Sequence, residues 1–266
     1  MATPETETVL EAHVGPVISI KPEGIFHLGG VEVTNSMFMG SVVAFLLLAL
    51  GLALHRTLRE VPGKLQGWFE LLMDQGLGLM DSILGTREKS LKYFPLICTI
   101  FLFVLVSNWL GLLPLTHIMI GHAPILRAPT ADLNFTIALA VISVLGVNLL
   151  GIAAIGLTSH AKKFFVNPLK DPIGTFVGLL ELVAEFVKII SFSFRLFGNV
   201  FAGEVLLTIV AFLVPYAVPL PFLFLEVFVG LIQAFIFSML TLVFLSMATV
   251  AHDHAEAHDS STGRLS

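Results

Sequence analysis

The chain has 266 residues, of which 56% are hydrophobic and only 12% charged, with a mean hydropathy of +0.94. A soluble globular domain carries about twice that share of charge, so the composition excludes one and points to an integral membrane protein. The net charge of −5 is spread over tails and loops and calls for neither a nucleic-acid partner nor an acidic substrate.

Residues 1–35 are polar and mixed, lack a basic stretch followed by an apolar core, and read as an extracytoplasmic tail without a cleavable signal. Apolar runs follow at about 36–54, 93–115, 134–157, 173–214 and 218–250, each long enough for the about 20 helical residues a bilayer requires. The last two exceed one perpendicular crossing, so they tilt strongly or lie partly along the membrane. Residues 62–84 differ: Lys64, Glu70, Asp74 and Asp81 interrupt the apolar positions, as in an amphipathic helix at the interface or against a partner. Pro215, Pro219 and Pro221 mark a turn that folds 173–250 into a hairpin. The expected fold is an all-α integral membrane protein: about five membrane-crossing helices and one amphipathic interfacial helix, the last two spans forming a long tilted hairpin. The membrane domain covers 36–250, and 251–266 form a C-terminal tail.

Orientation follows from the basic residues. Arg56, Arg59, Lys64, Arg87, Lys89, Lys92, Lys162, Lys163, Lys170 and Arg264 fall on one side, against only Lys21 and Arg127 on the other. This asymmetry puts the C-terminus in the cytoplasm and the N-terminus outside, in keeping with an odd number of crossings. No internal repeat of the inverted-transporter kind is visible. The single cysteine, Cys98, lies in an apolar run and signals no thiol chemistry.

Polar residues concentrate in the hairpin. Arg195 stands in Phe194-Arg195-Leu196-Phe197, and the positions one turn away are Ser191, Phe192, Gly198 and Asn199, so no carboxylate neighbours it on its own helix. A guanidinium at membrane depth is costly and keeps its charge, so it marks function, with a structural interhelix clamp as the bland alternative. Glu181, Lys188 and Arg195 are seven apart and share a face, with Glu185, Ser191 and Asn199 beside them. Glu181 and Glu185 can each help compensate Lys188, although Glu181 and Lys188 also read as snorkelling charges near the cytoplasmic interface. Glu204 lies about 13–14 Å beyond Arg195 and half a turn round the helix. In the final span Glu226 and Gln233 are again seven apart; Glu226 is level with Glu204, and Gln233 with Arg195. Two polar tracks at different angles and depths, separated near Arg195, suit two offset half-channels for an ion. The alternatives are interhelical glue for Asn199, Gln233 and Asn148, and back-bonding for Ser191. Gly198 and Gly203 read as places where another surface comes close. Thr130 or Asp132 caps the third span, while Asp132 and Asn134 also suit the mouth of an outer aqueous path. The tail His252–His258 reads as solvated chain rather than a metal site, and no phosphate loop is present, so the chain itself carries no cofactor or nucleotide site.

The run Phe194 to Glu204 (FRLFGNVFAGE) resembles the signature of subunit a of the bacterial-type rotary ATP synthases. Gln233 to Thr241 (QAFIFSMLT) with Leu245-Ser246-Met247-Ala248 is similar to that family's final helix. Val61-Pro62-Gly63-Lys64, Asn108-Trp109-Leu110-Gly111-Leu112-Leu113-Pro114 and Pro129-Thr130-Ala131-Asp132-Leu133-Asn134 add matches in the family's order. The resemblance implies a stator subunit in a bacterial inner membrane, without a catalytic site, partnered by a rotating c-subunit ring and by the b subunit of the peripheral stalk. It implies that Arg195 is the essential arginine facing the ring, with Asn199 and Gln233 near it. Glu204 matches an acidic residue of the outer half-channel, and Glu181 and Ser191 match inner half-channel positions. Glu226 departs from the best-known pattern, which has a histidine there; a Glu204–Glu226 pair is expected to titrate as a coupled unit. The alternative from another class is a self-contained secondary transporter whose Arg195 binds an anion.

Overall fold

The structure, a computed structural model, describes residues 22–28, 31–57, 63–113, 119–120, 123–124, 127–157, 172–214 and 217–250. Lipid offers no hydrogen bonds to a backbone, so a spanning segment must satisfy its own amides as a helix. Among the described residues five helices are long and apolar enough to cross: α1 Asn35–Thr57, α3 Arg87–Gly111, α4 Leu133–Ile155, α5 Pro172–Leu213 and α6 Pro219–Val250. α2, Lys64–Leu84, is the amphipathic one. It buries Leu77, Met80 and Leu84 and exposes Phe69, Leu71, Leu72, Met73 and Leu79. Its buried face meets α3 and the last turns of α6, where Ser246 Oγ donates to the Ile83 carbonyl at 3.4 Å. Gly85, at φ 78°, ends α2 in the left-handed region that glycine adopts without strain.

Two features fall outside the expected plan. Residues 24–34, read from the sequence as part of a polar tail, hold an antiparallel ribbon of β1 (Gly24–Leu28) and β2 (Val31–Thr34) leading directly into α1. A second short pair, β3 (Met119–Ile120) with β4 (Ala123–Pro124), lies between α3 and α4. Several segments used in the sequence reading lie outside the described residues: most of 1–35, Val61 and Pro62, Lys162, Lys163, Lys170, Pro215 and the tail 251–266.

α5 is 42 residues long, about 63 Å at 1.5 Å per residue, and α6 is 32 residues, about 48 Å. The hydrocarbon layer is about 30 Å thick, so α5 stays within it only if inclined by about 60° from the normal. Pro219 and Pro221 sit in the first turn of α6, where a missing N–H costs nothing. Two apolar clusters hold the bundle: Met80, Leu84, Tyr93, Ile97, Val147, Leu242 and Leu245 near α2, and Ile100, Val104, Ala140, Phe192, Leu196, Ala234 and Phe237 at mid-bundle. Within the second, the Phe192 and Phe237 rings stand 4.8 Å apart, joining α5 to α6. The face of α5 away from these clusters stays uncovered and apolar, through Ile173, Phe176, Val183, Phe186, Ile190 and Phe194.

Candidate ion path

Core packing aims the central residue. Phe192, Ser193 and Leu196 are buried against α4 and α6, and Ser193 Oγ lies 3.1 Å from Thr136 Oγ1 of α4. With those positions pointing inward, Arg195 falls at the border between core and open face, where it is partly exposed. Its Nη2 donates to Ser191 Oγ at 3.4 Å, and among the described residues no carboxylate forms an ion pair with it. One turn on, Asn199 Nδ2 donates to Gln233 Oε1 at 2.7 Å, linking the two hairpin helices beside the guanidinium. Gln233 is buried, and its Nε2 has no hydrogen-bond partner among the described residues.

Toward the end of the bundle where α5 begins, α4, α5 and α6 enclose a cavity of about 40 Å³. That is room for about three water molecules. Glu181, Glu185 and Lys188 of α5 line it, with Ser143 and Asn148 of α4 and Phe244 of α6. Lys188 Nζ lies 2.6 Å from Glu185 Oε1 and 4.6 Å from the centre of the Phe244 ring, so it is folded into the helix interface rather than snorkelling. Asn148, read from the sequence as isolated, donates Nδ2 to Glu185 Oε2 at 3.2 Å as well as to its own helix at Val144. Ser143 Oγ is buried without a partner among the described residues.

The opposite end gathers a second polar group. Arg127, from the stretch before α4, is buried; its Nε lies 3.9 Å from Glu204 Oε2 and its Nη2 donates to the Ala131 carbonyl at 3.4 Å. Glu204 is about half exposed, at 46%. The Glu226 carboxylate lies directly against Gly203, where a Cβ would collide with it. Close approach therefore explains Gly203. At Gly198, by contrast, a Cβ would meet nothing within 4 Å among the described residues. Glu204 has Arg127 as its ion-pair partner, a residue that the sequence reading used only to assign sides.

The flanking motifs frame this end. Asn108 Nδ2 donates to the Gly230 carbonyl at 3.1 Å and its Oδ1 accepts from Thr130 Oγ1 at 2.8 Å. Trp109 Nε1 donates to the Val227 carbonyl at 3.1 Å. Asp132 is 3% exposed. Its Oδ1 accepts from the Asn134 amide at 2.9 Å, capping α4, and its Oδ2 accepts from Ser36 Oγ at 2.5 Å, tying α4 to α1. The Asn134 side chain is exposed. Among the described residues no group of three or more His, Cys, Asp or Glu is placed to hold a metal ion, and the His252–His258 tail lies outside them.

Five helices long and apolar enough to cross a bilayer, packed into one bundle, define a multi-pass membrane protein. Residues 36–246 match the family described as the ATP synthase A chain. The chain is 33% identical over 235 residues to ATP synthase subunit a of Moorella thermoacetica, covering 88% of this chain and 99% of that one. It is 36% identical over 228 residues to the subunit a of Mycobacterium leprae, covering 83% and 88% respectively. Against the subunit a of Gloeobacter violaceus it is 37% identical over 231 residues, 86% of this chain and 89% of the other. The chain belongs to the ATP synthase subunit a family and is a component of a proton-translocating membrane sector. Family membership removes the support for a self-contained transporter.

Proposed function

We propose that this chain is the stationary half of the proton path of a bacterial ATP synthase, presenting α5 and α6 to a rotating ring of c subunits. The observation that carries this reading is Arg195: a part-exposed guanidinium without an ion pair among the described residues, between two separate polar regions of one helix hairpin. The open apolar face of α5 beside it, with space at Gly198, suits the close approach of another helical surface. The ring and the b subunit of the peripheral stalk are the partners, and the chain contributes no catalytic or nucleotide site.

The basic asymmetry puts the C-terminus in the cytoplasm of a bacterial inner membrane. The Glu181–Glu185–Lys188 cavity is then the cytoplasmic half-channel, and the Arg127–Glu204–Glu226 region the outer one. A ring carboxylate is neutral while it faces lipid, because an uncompensated charge there is costly. Arg195 favours its ionised form, so the proton leaves into one half-channel, and after nearly a full rotation the site reloads from the other. The fixed charge also keeps protons from crossing between half-channels without rotation. Each proton crossing 100 mV contributes about 2.3 kcal/mol, so several are needed per ATP. Asn199 and Gln233 hold the hairpin in register at the arginine, and Ser191 orients its guanidinium.

Mild detergent extraction of a tagged chain tests this. A c ring co-eluting with it is the expected result. A chain that elutes alone and moves protons across liposomes would overturn the reading.

A further inference from the structure

The cytoplasmic cavity holds a group the mechanism above does not use. Glu185 is 17% exposed and joins its own helix to α4: its Oε1 is 2.6 Å from Lys188 Nζ and its Oε2 accepts from Asn148 Nδ2 at 3.2 Å. Lys188 in turn lies over the Phe244 ring of α6 at 4.6 Å. The cavity lining therefore carries two carboxylates, Glu181 and Glu185, and one ammonium, all from α5; α4 and α6 contribute no charged group to it. Lys188 and Arg195 are seven residues apart on one face, about 10 Å along the axis. On the proton-path reading, Lys188 lines the cavity between Arg195 and the cytoplasmic end of α5.

Resting on the proton-path reading above, we propose that Glu185 is a positioning residue of the cytoplasmic half-channel, holding Lys188 in a neutral pair beside the cavity. The pair leaves no uncompensated ammonium in the lining to repel a departing proton. Without Glu185, Lys188 becomes a second fixed positive charge in a narrow passage of low dielectric. Like charges at such distances repel strongly there, so the passage resists a proton. Asn148 secures the second carboxylate oxygen and so keeps the pair closed. Glu185 acts through Lys188 and does not itself carry the proton.

Passive proton flux is measured in inverted vesicles stripped of the catalytic sector and normalised to assembled subunit by immunoblot. Glu185→Gln, which keeps side-chain volume and hydrogen bonding, is expected to slow flux about tenfold. Glu185→Gln combined with Lys188→Met removes the unpaired ammonium and is expected to regain flux to within about twofold of wild type. Glu185→Asp keeps the charge and stays near wild type. A double variant as slow as Glu185→Gln would overturn the proposal, since a scaffold or proton-carrying role gives no rescue. Unchanged flux in Glu185→Gln, or an equal loss in Glu185→Asp, would overturn it as well. Arg195→Ala in the same vesicles, assayed for ATP-driven pumping before stripping, separates the two levels. Lost pumping there with normal Glu185→Gln flux defeats this inference alone, while normal Arg195→Ala pumping defeats the proton-path reading beneath it.

Discussion

Replacing Asp132 decides whether its carboxylate is a clamp or a mouth residue of the outer path. In the structure both oxygens are occupied, one by the Asn134 amide and one by the Ser36 hydroxyl, and the side chain is 3% exposed. Asp132→Ala removes an N-cap, at about 1 kcal/mol, and strands a buried hydroxyl at about 1–3 kcal/mol. Thr34 Oγ1, 3.0 Å from Ser36 Oγ, offers that hydroxyl another partner and moves the second cost to the low end. The total is about 2–3 kcal/mol on the α1–α4 contact, a shift of about 30- to 150-fold in its equilibrium. Asp132→Asn keeps a good cap and a polar group facing Ser36, so it costs about 1 kcal/mol or less. The assay is subunit retention in membranes and the temperature at which it dissociates from the solubilised complex, together with pumping per assembled complex. Asp132→Ala is expected to lower retention and dissociation temperature, and Asp132→Asn to behave nearly as wild type in all three. If Asp132→Asn assembles fully yet pumps several-fold more slowly, its charge serves the ion path and the clamp argument fails.

Breaking the 2.7 Å link between hairpin helices, by Asn199→Leu or Gln233→Leu, is expected to lower coupled pumping more than assembly. Asn199→Leu also leaves the buried Gln233 carbonyl oxygen unpaired at about 1–3 kcal/mol, whereas Asn199 is exposed and loses little. Equal pumping per complex in both variants would show that this bond has no bearing on the arginine. Glu204→Gln is expected to slow flux with assembly intact, and Arg127→Gln to slow it too by freeing Glu204 from its 3.9 Å partner; unaltered flux in either assembled variant removes that residue from the outer path. Gly203→Val drives a branched side chain into the Glu226 carboxylate, so pumping is expected to fall about tenfold or more, and wild-type pumping would show that Glu226 moves aside freely.

The spans were legible because each is a continuous apolar run, which is the local quantity a bilayer selects. The positions of Glu181, Lys188 and Arg195 on one face followed equally from helical spacing. What the sequence hid were contacts between elements far apart in the chain. Arg127 looked like a lone basic residue on the outer side, and nothing local joins it to Glu204. Asn148 read as packing glue because its partner, Glu185, lies on another helix. The cap at Asp132 was visible in the Pro-Thr-Ala-Asp-Leu-Asn run, while its bond to Ser36 was not. Gly198 and Gly203 looked alike in sequence, and only packing separates the one that meets Glu226 from the one that meets open space. The β1–β2 ribbon escaped notice because five- and four-residue strands in a mixed polar stretch carry little periodic pattern.

ATP-driven proton pumping in inverted membrane vesicles, comparing wild type with Arg195→Ala at matched assembly, bears most directly on the account. It predicts that pumping is lost, with a raised passive leak between the two half-channels. Normal pumping by the assembled variant would contradict it and make Arg195 a structural residue.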